Sequence, residues 1–221
     1  MSTKDELTVV VNAEIKPWEF IDNVDDPPPF SRFGIKAGLK AYRRPDTGQV
    51  EEFSFFEKKP GVTVCPITRE GNLVLVEQWK QAIGRPILEF PAGVYKGDAR
   101  DCVEDILKEL FQVANNELAQ ETGYVAEEMI LTCPIMIRLA PRKSPSGFFT
   151  MLAAGCERKG QQQLDEGEVA IRVYEATPAQ FVQLVREGEI VSTETLEAAA
   201  WAERTGLLNL PWHALSPVPF M

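Results

Sequence analysis

Residues 89–124 read EFPAGVYKGDARDCVEDILKELFQVANNELAQETGY. A strand end runs into a Pro-Ala-Gly turn, then a loop, then a long amphipathic helix that closes on ELAQETG. Val103, Ile106, Leu107, Leu110, Val113, Ala114 and Leu118 keep the three-and-four spacing of one buried stripe, which predicts a helix over roughly 100–121. Gly123 stands where a left-handed residue would end it. In the last turn Glu117 and Glu121 lie four apart, on one face, with Gln120 beside them. Two stacked carboxylates repel unless a positive charge sits between them. A divalent cation, or a Lys or Arg from elsewhere, meets that need. A solvated helix face is the plain structural alternative.

The same stretch resembles the Nudix box. That pattern runs Gly, five residues, Glu, seven residues, Arg-Glu, an aliphatic, any residue, Glu-Glu, any residue, Gly and an aliphatic or aromatic. Here Gly93 follows Pro91-Ala92, and Glu117, Leu118, Glu121, Gly123 and Tyr124 fit the far end. Asn116 replaces the Arg, Gln120 replaces the first Glu of the pair, and Ala99 stands where the early Glu belongs, with Asp98 next to it. Gly93 and Gly123 are also nine residues further apart than in the pattern. A second register, through Lys108-Glu109-Leu110, lies nearer the expected distance from Gly93 but has no glycine after it. The Gly123 register is preferred because it aligns with the pattern over nine consecutive places and carries the required residue at five of them. Nine residues inserted mid-helix would turn the carboxylates through roughly two and a half turns. The extra length is therefore expected in the loop or at the helix start.

The resemblance extends over about 62–205 and is specifically to ADP-ribose pyrophosphatases. It implies an α+β chain, a Nudix α/β/α sandwich with a mixed sheet, plus a small N-terminal β appendage. It implies metal-dependent hydrolysis of a nucleoside diphosphate linked to another group, with ADP-ribose or a nucleotide sugar as substrate. Mg²⁺ or Mn²⁺ would be held by Glu117, Glu121 and the Ala92 carbonyl. Mg²⁺ commonly takes only one or two carboxylates besides substrate phosphates, so two surviving acids suffice in principle. Arg85, Glu89 and Gly93 match substrate-cleft positions, as do Trp79 and Lys80, Trp79 having core packing as its alternative. The catalytic base would come from the acidic loop QQQLDEGE, as Glu166 or Glu168. Arg138, Arg142 and Lys143 are further cations within reach of phosphate. A base or ribose would stack on Trp18, Phe30 or Phe33, with the N-terminal element exchanged across a homodimer. The Asn116 and Gln120 substitutions support a second reading, a Nudix-fold protein that binds a nucleotide, or serves as an interaction module, without turning it over.

The rest of the chain bounds these readings. Its 221 residues suit one large domain with an appendage. The expected division is an N-terminal β element over 1–58, a main domain over 59–208 and a Pro-rich tail over 209–221. A net charge of −10 disfavours nucleic acid and anionic membranes as partners. No apolar run reaches the length of a membrane span, and MSTKDELTVV lacks the basic and apolar regions of a signal peptide. Cys65, Cys102, Cys133 and Cys156 are too widely spaced for a zinc knuckle. A cytoplasmic protein is expected. His213 is the only histidine, so acid–base work falls to carboxylates, Lys, Tyr or Cys.

Strand patterns complete the reading. VTVCP (62–66) and LVLVE (73–77) form a hairpin around TREGN, and PDTG (45–48) turns an earlier pair. MILTCPIMIRLAP (129–141) is one strand or two, TMLAAGCER (150–158) another, and VAIRVYEA a third. Thr177-Pro178 opens a helix, Gly188 interrupts it, and Thr193–Trp201 is the last helix.

Overall fold

Alternating strands with tight turns and three apolar-striped helices build two units in the computed structural model, which describes residues 19–21, 30–32, 35–95, 103–164 and 171–212. The first unit ends at Glu57 and is an antiparallel sheet. Its strands are β1 (Glu19–Ile21), β2 (Phe30–Arg32), β3 (Ile35–Arg43) and β4 (Val50–Glu57). β3 pairs with the other three. The β3–β4 hairpin closes where PDTG predicts. Arg44 N–H donates to the Gln49 carbonyl at 2.8 Å, and Gly48 takes φ 71°, a conformation glycine adopts without a Cβ penalty.

The second unit, from Lys58, contains a sheet with strand order β10-β12-β5-β6-β13. In chain order its elements are β5 (Gly61–Thr68), β6 (Leu73–Lys80), β7 (Arg85–Glu89), β8 (Ala92–Val94), α1 (Val103–Glu117), a π turn (Leu118–Thr122), β9 (Tyr124–Val125), β10 (Glu128–Leu131), β11 (Ile137–Arg138), β12 (Gly147–Arg158), β13 (Arg172–Ala176), α2 (Pro178–Arg186) and α3 (Thr193–Glu203). β5 and β12 run parallel and the other pairs antiparallel, so the sheet is mixed. The 129–141 segment resolves into two strands, β10 and β11, both on β12.

The sheet is forked. β5 and β6 meet at Ile67 and Leu73 and then splay. The segment Arg85–Val94 runs into the fork, pairing first with β6 and then, past Phe90-Pro91, with β5. Val64 N–H donates to the Pro91 carbonyl at 2.9 Å where the partner changes. A proline has no N–H to lose there, which suits it to the switch.

Side-chain alternation gives the sheet two apolar faces. Val62, Val64, Val74, Phe149 and Met151 pack with Leu110, Val113 and Ala114 of α1 and with Leu118 of the π turn. Cys65, Ile67, Leu73, Leu75 and Leu152 pack with Phe181 and Val182 of α2 and Ala198, Ala199 and Ala202 of α3. The described part of α1 begins at Val103, and the expected start near residue 100 lies outside the described residues. α2 begins as its sequence predicts: Pro178 is its first residue, and Thr177 and Gln180 exchange the two bonds of a capping box. Packing continues past residue 208. Leu210 is 3% exposed, and Trp212 Nε1 donates to Glu203 at 2.9 Å. Among the described residues no helix is long and apolar enough to cross a membrane.

Candidate functional site

The fork delivers Gly93 to the end of α1. Gly93 pairs with Val62, whose side chain belongs to the α1 face, so Gly93 faces the helix too. A β-carbon at Gly93 would collide with Val113 Cγ1 and with Glu117, reaching Cγ at 2.5 Å and Oε1 at 2.7 Å. Only glycine lets the Glu117 side chain lie across this strand. The contact also selects the register: Glu117 stands over Gly93, whereas Glu109 lies eight residues back, about 12 Å along an α-helix.

Glu121 follows in the π turn and is 2% exposed. π turns inserted at the end of an α-helix are frequent at functional sites. This one is held from both sides. The Thr122 hydroxyl donates to the Leu118 carbonyl, and Gly123 N–H donates to the Ala119 carbonyl at 2.9 Å. Gly123 has φ 76°, and a β-carbon there would run into the Gly160 carbonyl, so both its conformation and its neighbour require glycine. The segment after β12 lies over this helix end. Lys159 and Gly160 N–H groups donate to the Gly123 carbonyl at 3.0 and 3.1 Å, and Gln163 N–H to the Gln120 carbonyl at 2.9 Å. The Gln162 carboxamide donates to the carbonyls of Glu121 at 2.6 Å and Ile171 at 3.0 Å. Glu166 and Glu168, the two candidate bases, lie outside the described residues.

Asn116 and Gln120 lie in different surroundings. Asn116 is exposed, and its Oδ1 accepts from Gln112 Nε2 at 2.9 Å, one turn back along the outer face of the helix. Gln120 is half-buried and borders a small hollow of about 190 Å³ shared with Gly123, Lys159 and Gln163.

A second polar cluster lies on the α1 face of the forked sheet. Glu89 pairs with Val76, and alternation places Gln78 and Lys80 on the same face. Gln78 Nε2 donates to Glu89 Oε1 at 2.7 Å, and the Lys80 ammonium contacts the same oxygen. The side chain of Glu89 is 12% exposed, so the pair is largely withdrawn from solvent. β6 also packs against the π turn, which joins this cluster to the end of the Glu121 helix. Trp79 alternates to the opposite face and is 56% exposed, so it is not a core residue. Arg85 is tied elsewhere: Nη2 donates to the Gly188 carbonyl at 2.8 Å, and Nη1 lies 3.7 Å from the Glu189 carboxylate. Arg138, Arg142 and Lys143 are exposed around the turn before β12. Trp18 and Phe33 lie outside the described residues, and Phe30 is in β2.

Sequence reasoning passed over the ties that hold the helix end. Tyr124, directly after Gly123, donates its hydroxyl to Glu175 Oε1 at 2.5 Å, and Asn72 Nδ2 donates to Oε2 at 3.0 Å. Burial, and then the bond to Glu175, push the Tyr124 phenol up to about 12, while the bonds from Tyr124 and Asn72 hold the Glu175 carboxyl below its ordinary value. Gln162 lies in a QQQ run whose composition carries no positional signal.

Among the described residues no three His, Cys, Asp or Glu side chains gather as a ready metal cage. The candidate donors are Glu117, laid over Gly93, the buried Glu121 four residues on, and the carbonyl of Ala92, the residue before Gly93. Carboxylate and carbonyl oxygens are the hard donors that suit Mg²⁺ or Mn²⁺, and the donor set fits such an ion with substrate oxygens completing its shell.

Comparison with known proteins follows the same lines. No family model matches the chain. The ADP-ribose pyrophosphatase of Bacillus subtilis (strain 168) is 29% identical over 149 residues, covering 66% of this chain and 74% of that protein. The methanol dehydrogenase activator of Bacillus methanolicus is 27% identical over 158 residues, covering 71% and 78%. Among solved structures, an ADP compounds hydrolase superposes with a TM-score of 0.67 over 88% of this chain and 96% of that one, at 14% identity. Identity that low speaks for the fold alone, and the fold of this chain is the α+β, mixed-sheet Nudix fold.

Proposed function

We propose that the chain is a metal-dependent hydrolase of nucleoside diphosphates linked to another group, with ADP-ribose or a nucleotide sugar as substrate. The observation that carries this reading is the apposition of Glu117 with Gly93, with Glu121 held in the next turn. The kinship with a protein named ADP-ribose pyrophosphatase supports the substrate class. Glu117, Glu121 and the Ala92 carbonyl would hold Mg²⁺ or Mn²⁺. When bound, such an ion neutralises diphosphate oxygens and lowers the pKa of water. Gly93 leaves the room in which the Glu117 side chain lies across the strand. Lys80 offsets the charge of Glu89, so Glu89 is free to accept a hydrogen bond from a ribose or base without repelling the diphosphate. Arg85 reaches substrate only by giving up the Gly188 carbonyl. Glu166 or Glu168 takes the proton from the attacking water. A cytoplasmic homodimer completes the reading, and the buried free thiols of Cys65, Cys133 and Cys156 are in keeping with a reducing compartment.

Asn116 supports a second reading, a nucleotide-binding or interaction protein without turnover. Bonded to Gln112 on the outer face, it does not take the place of an Arg that orients glutamates. Phosphate-coupled turnover of ADP-ribose and nucleotide sugars, in Mg²⁺ and in Mn²⁺, separates the two. The hydrolase reading expects metal-dependent turnover that Glu121→Gln abolishes. No turnover in either metal, with ADP-ribose still raising Tm, establishes the binding protein instead.

A further inference from the structure

We propose that Gln162 is a positioning residue for Glu121, an inference that rests on the metal site proposed above. An α-helix leaves its last carbonyls without partners in the helix. Here they are taken one by one, Ala119 by Gly123 N–H, Gln120 by Gln163 N–H and Gly123 by Lys159 and Gly160 N–H. The carbonyl of Glu121 itself goes to a side chain, Gln162 Nε2 at 2.6 Å. A carboxamide has two N–H donors. The second is used as well, on the carbonyl of Ile171 at 3.0 Å. Ile171 is 6% exposed and leads directly into β13, which pairs with β6 in register from Arg172 to Ala176.

One neutral, half-buried side chain thus joins the peptide under Glu121 to the lead-in of β13, the neighbour of β6, and β6 carries Gln78 and Lys80 of the Glu89 cluster. A π turn has fewer neighbours of its own kind than an α-helix to hold its pitch. Without the bridge, the peptide after Glu121 turns to find another donor, and the buried Glu121 side chain turns with it. The effect acts through backbone orientation, since Gln162 contacts the Glu121 carbonyl and not its carboxylate.

The test is Mn²⁺ titration of the full chain followed by electron paramagnetic resonance, with Tm recorded for each variant. Gln162→Met keeps the length and removes both donors, and it is expected to weaken Mn²⁺ binding about 10-fold, as loss of an orienting partner does. Gln162→Lys keeps donors at a helix C-terminus and is expected to restore the affinity to within about 3-fold of wild type. If Gln162→Met is too unstable to titrate, Gln162→Asn replaces it. Asn keeps the amide but falls one methylene short of bridging both carbonyls, so a loss of several-fold is expected. Wild-type affinity in the Met variant or, where Asn replaces it, in the Asn variant overturns the inference while leaving the metal site standing, provided Glu121→Gln abolishes binding. Equal loss in Gln162→Lys and Gln162→Met, at unchanged Tm, overturns it too, because the donors would then not matter. A wild-type chain that binds no Mn²⁺, or binds it equally after Glu121→Gln, removes the metal site and the inference together.

Discussion

α1 and α2 end and begin in opposite ways. The start of α2 is closed from within: Thr177 and Gln180, three residues apart, satisfy each other's backbone groups. The end of α1 is closed from without. In the π turn that follows it and at Gly123, the carbonyls of Gln120, Glu121 and Gly123 are taken by residues 159–163, about forty positions later in the chain, and Tyr124 is anchored on Glu175. A cap made of neighbours stabilises one helix. A cap made of distant segments also fixes where the helix end stands relative to the rest of the sheet. That is what the contact of Glu117 with Gly93 requires.

The sharpest way to break this contrast is Gly93→Ala. The added carbon collides with Val113 and Glu117, so the helix end or the strand must shift. Turnover is expected to fall at least about 100-fold, the order associated with an ångström of misplacement, with a stability loss of about 1–3 kcal/mol. Coupled phosphate assay and thermal unfolding read both. Gly123→Ala follows. It places an L side chain at φ 76° against the Gly160 carbonyl, and a loss of about 2–3 kcal/mol is expected together with weaker Mn²⁺ binding. Thr177→Ala is the counterpart at the locally closed end. It is expected to cost about 1 kcal/mol in denaturant unfolding and to leave kcat and KM unchanged. A large activity loss there would erase the distinction between the two helix ends.

The smallest effect concerns Tyr124–Glu175. Glu175 has a depressed folded-state pKa, so its contribution is present above its unfolded value and is lost as pH falls through the folded one. Tyr124 has a raised pKa, so its contribution is present below the ordinary phenol value and is lost as pH rises toward about 12. Tyr124→Phe is therefore expected to lower stability by up to about 1 kcal/mol, discounted for partial exposure, on a plateau between about pH 5 and 10. The difference narrows on both sides of that window. A difference independent of pH would show that the phenol contributes by packing alone.

Much of this was legible in residue order because the signals are local. The stripe Leu110, Val113, Ala114 and Leu118, the alternation of Val62 and Val64 against Cys65 and Ile67, the Thr177-Pro178 start and the glycines at 93 and 123 each follow from spacing and sterics over a few positions. Spacing also placed Glu117 and Glu121 on one helix end. Tertiary structure alone decided that Gly93 meets Glu117 and not Glu109, because that choice depends on how far the forked sheet carries the strand before the helix returns. It alone turned Trp79 outward, tied Arg85 to Gly188 and gave Gln162 two carbonyls to bridge. Those are bonds between segments distant in the chain. Their partners come together only when apolar faces on both sides of the sheet are buried at once, and no periodicity along a single stretch records that.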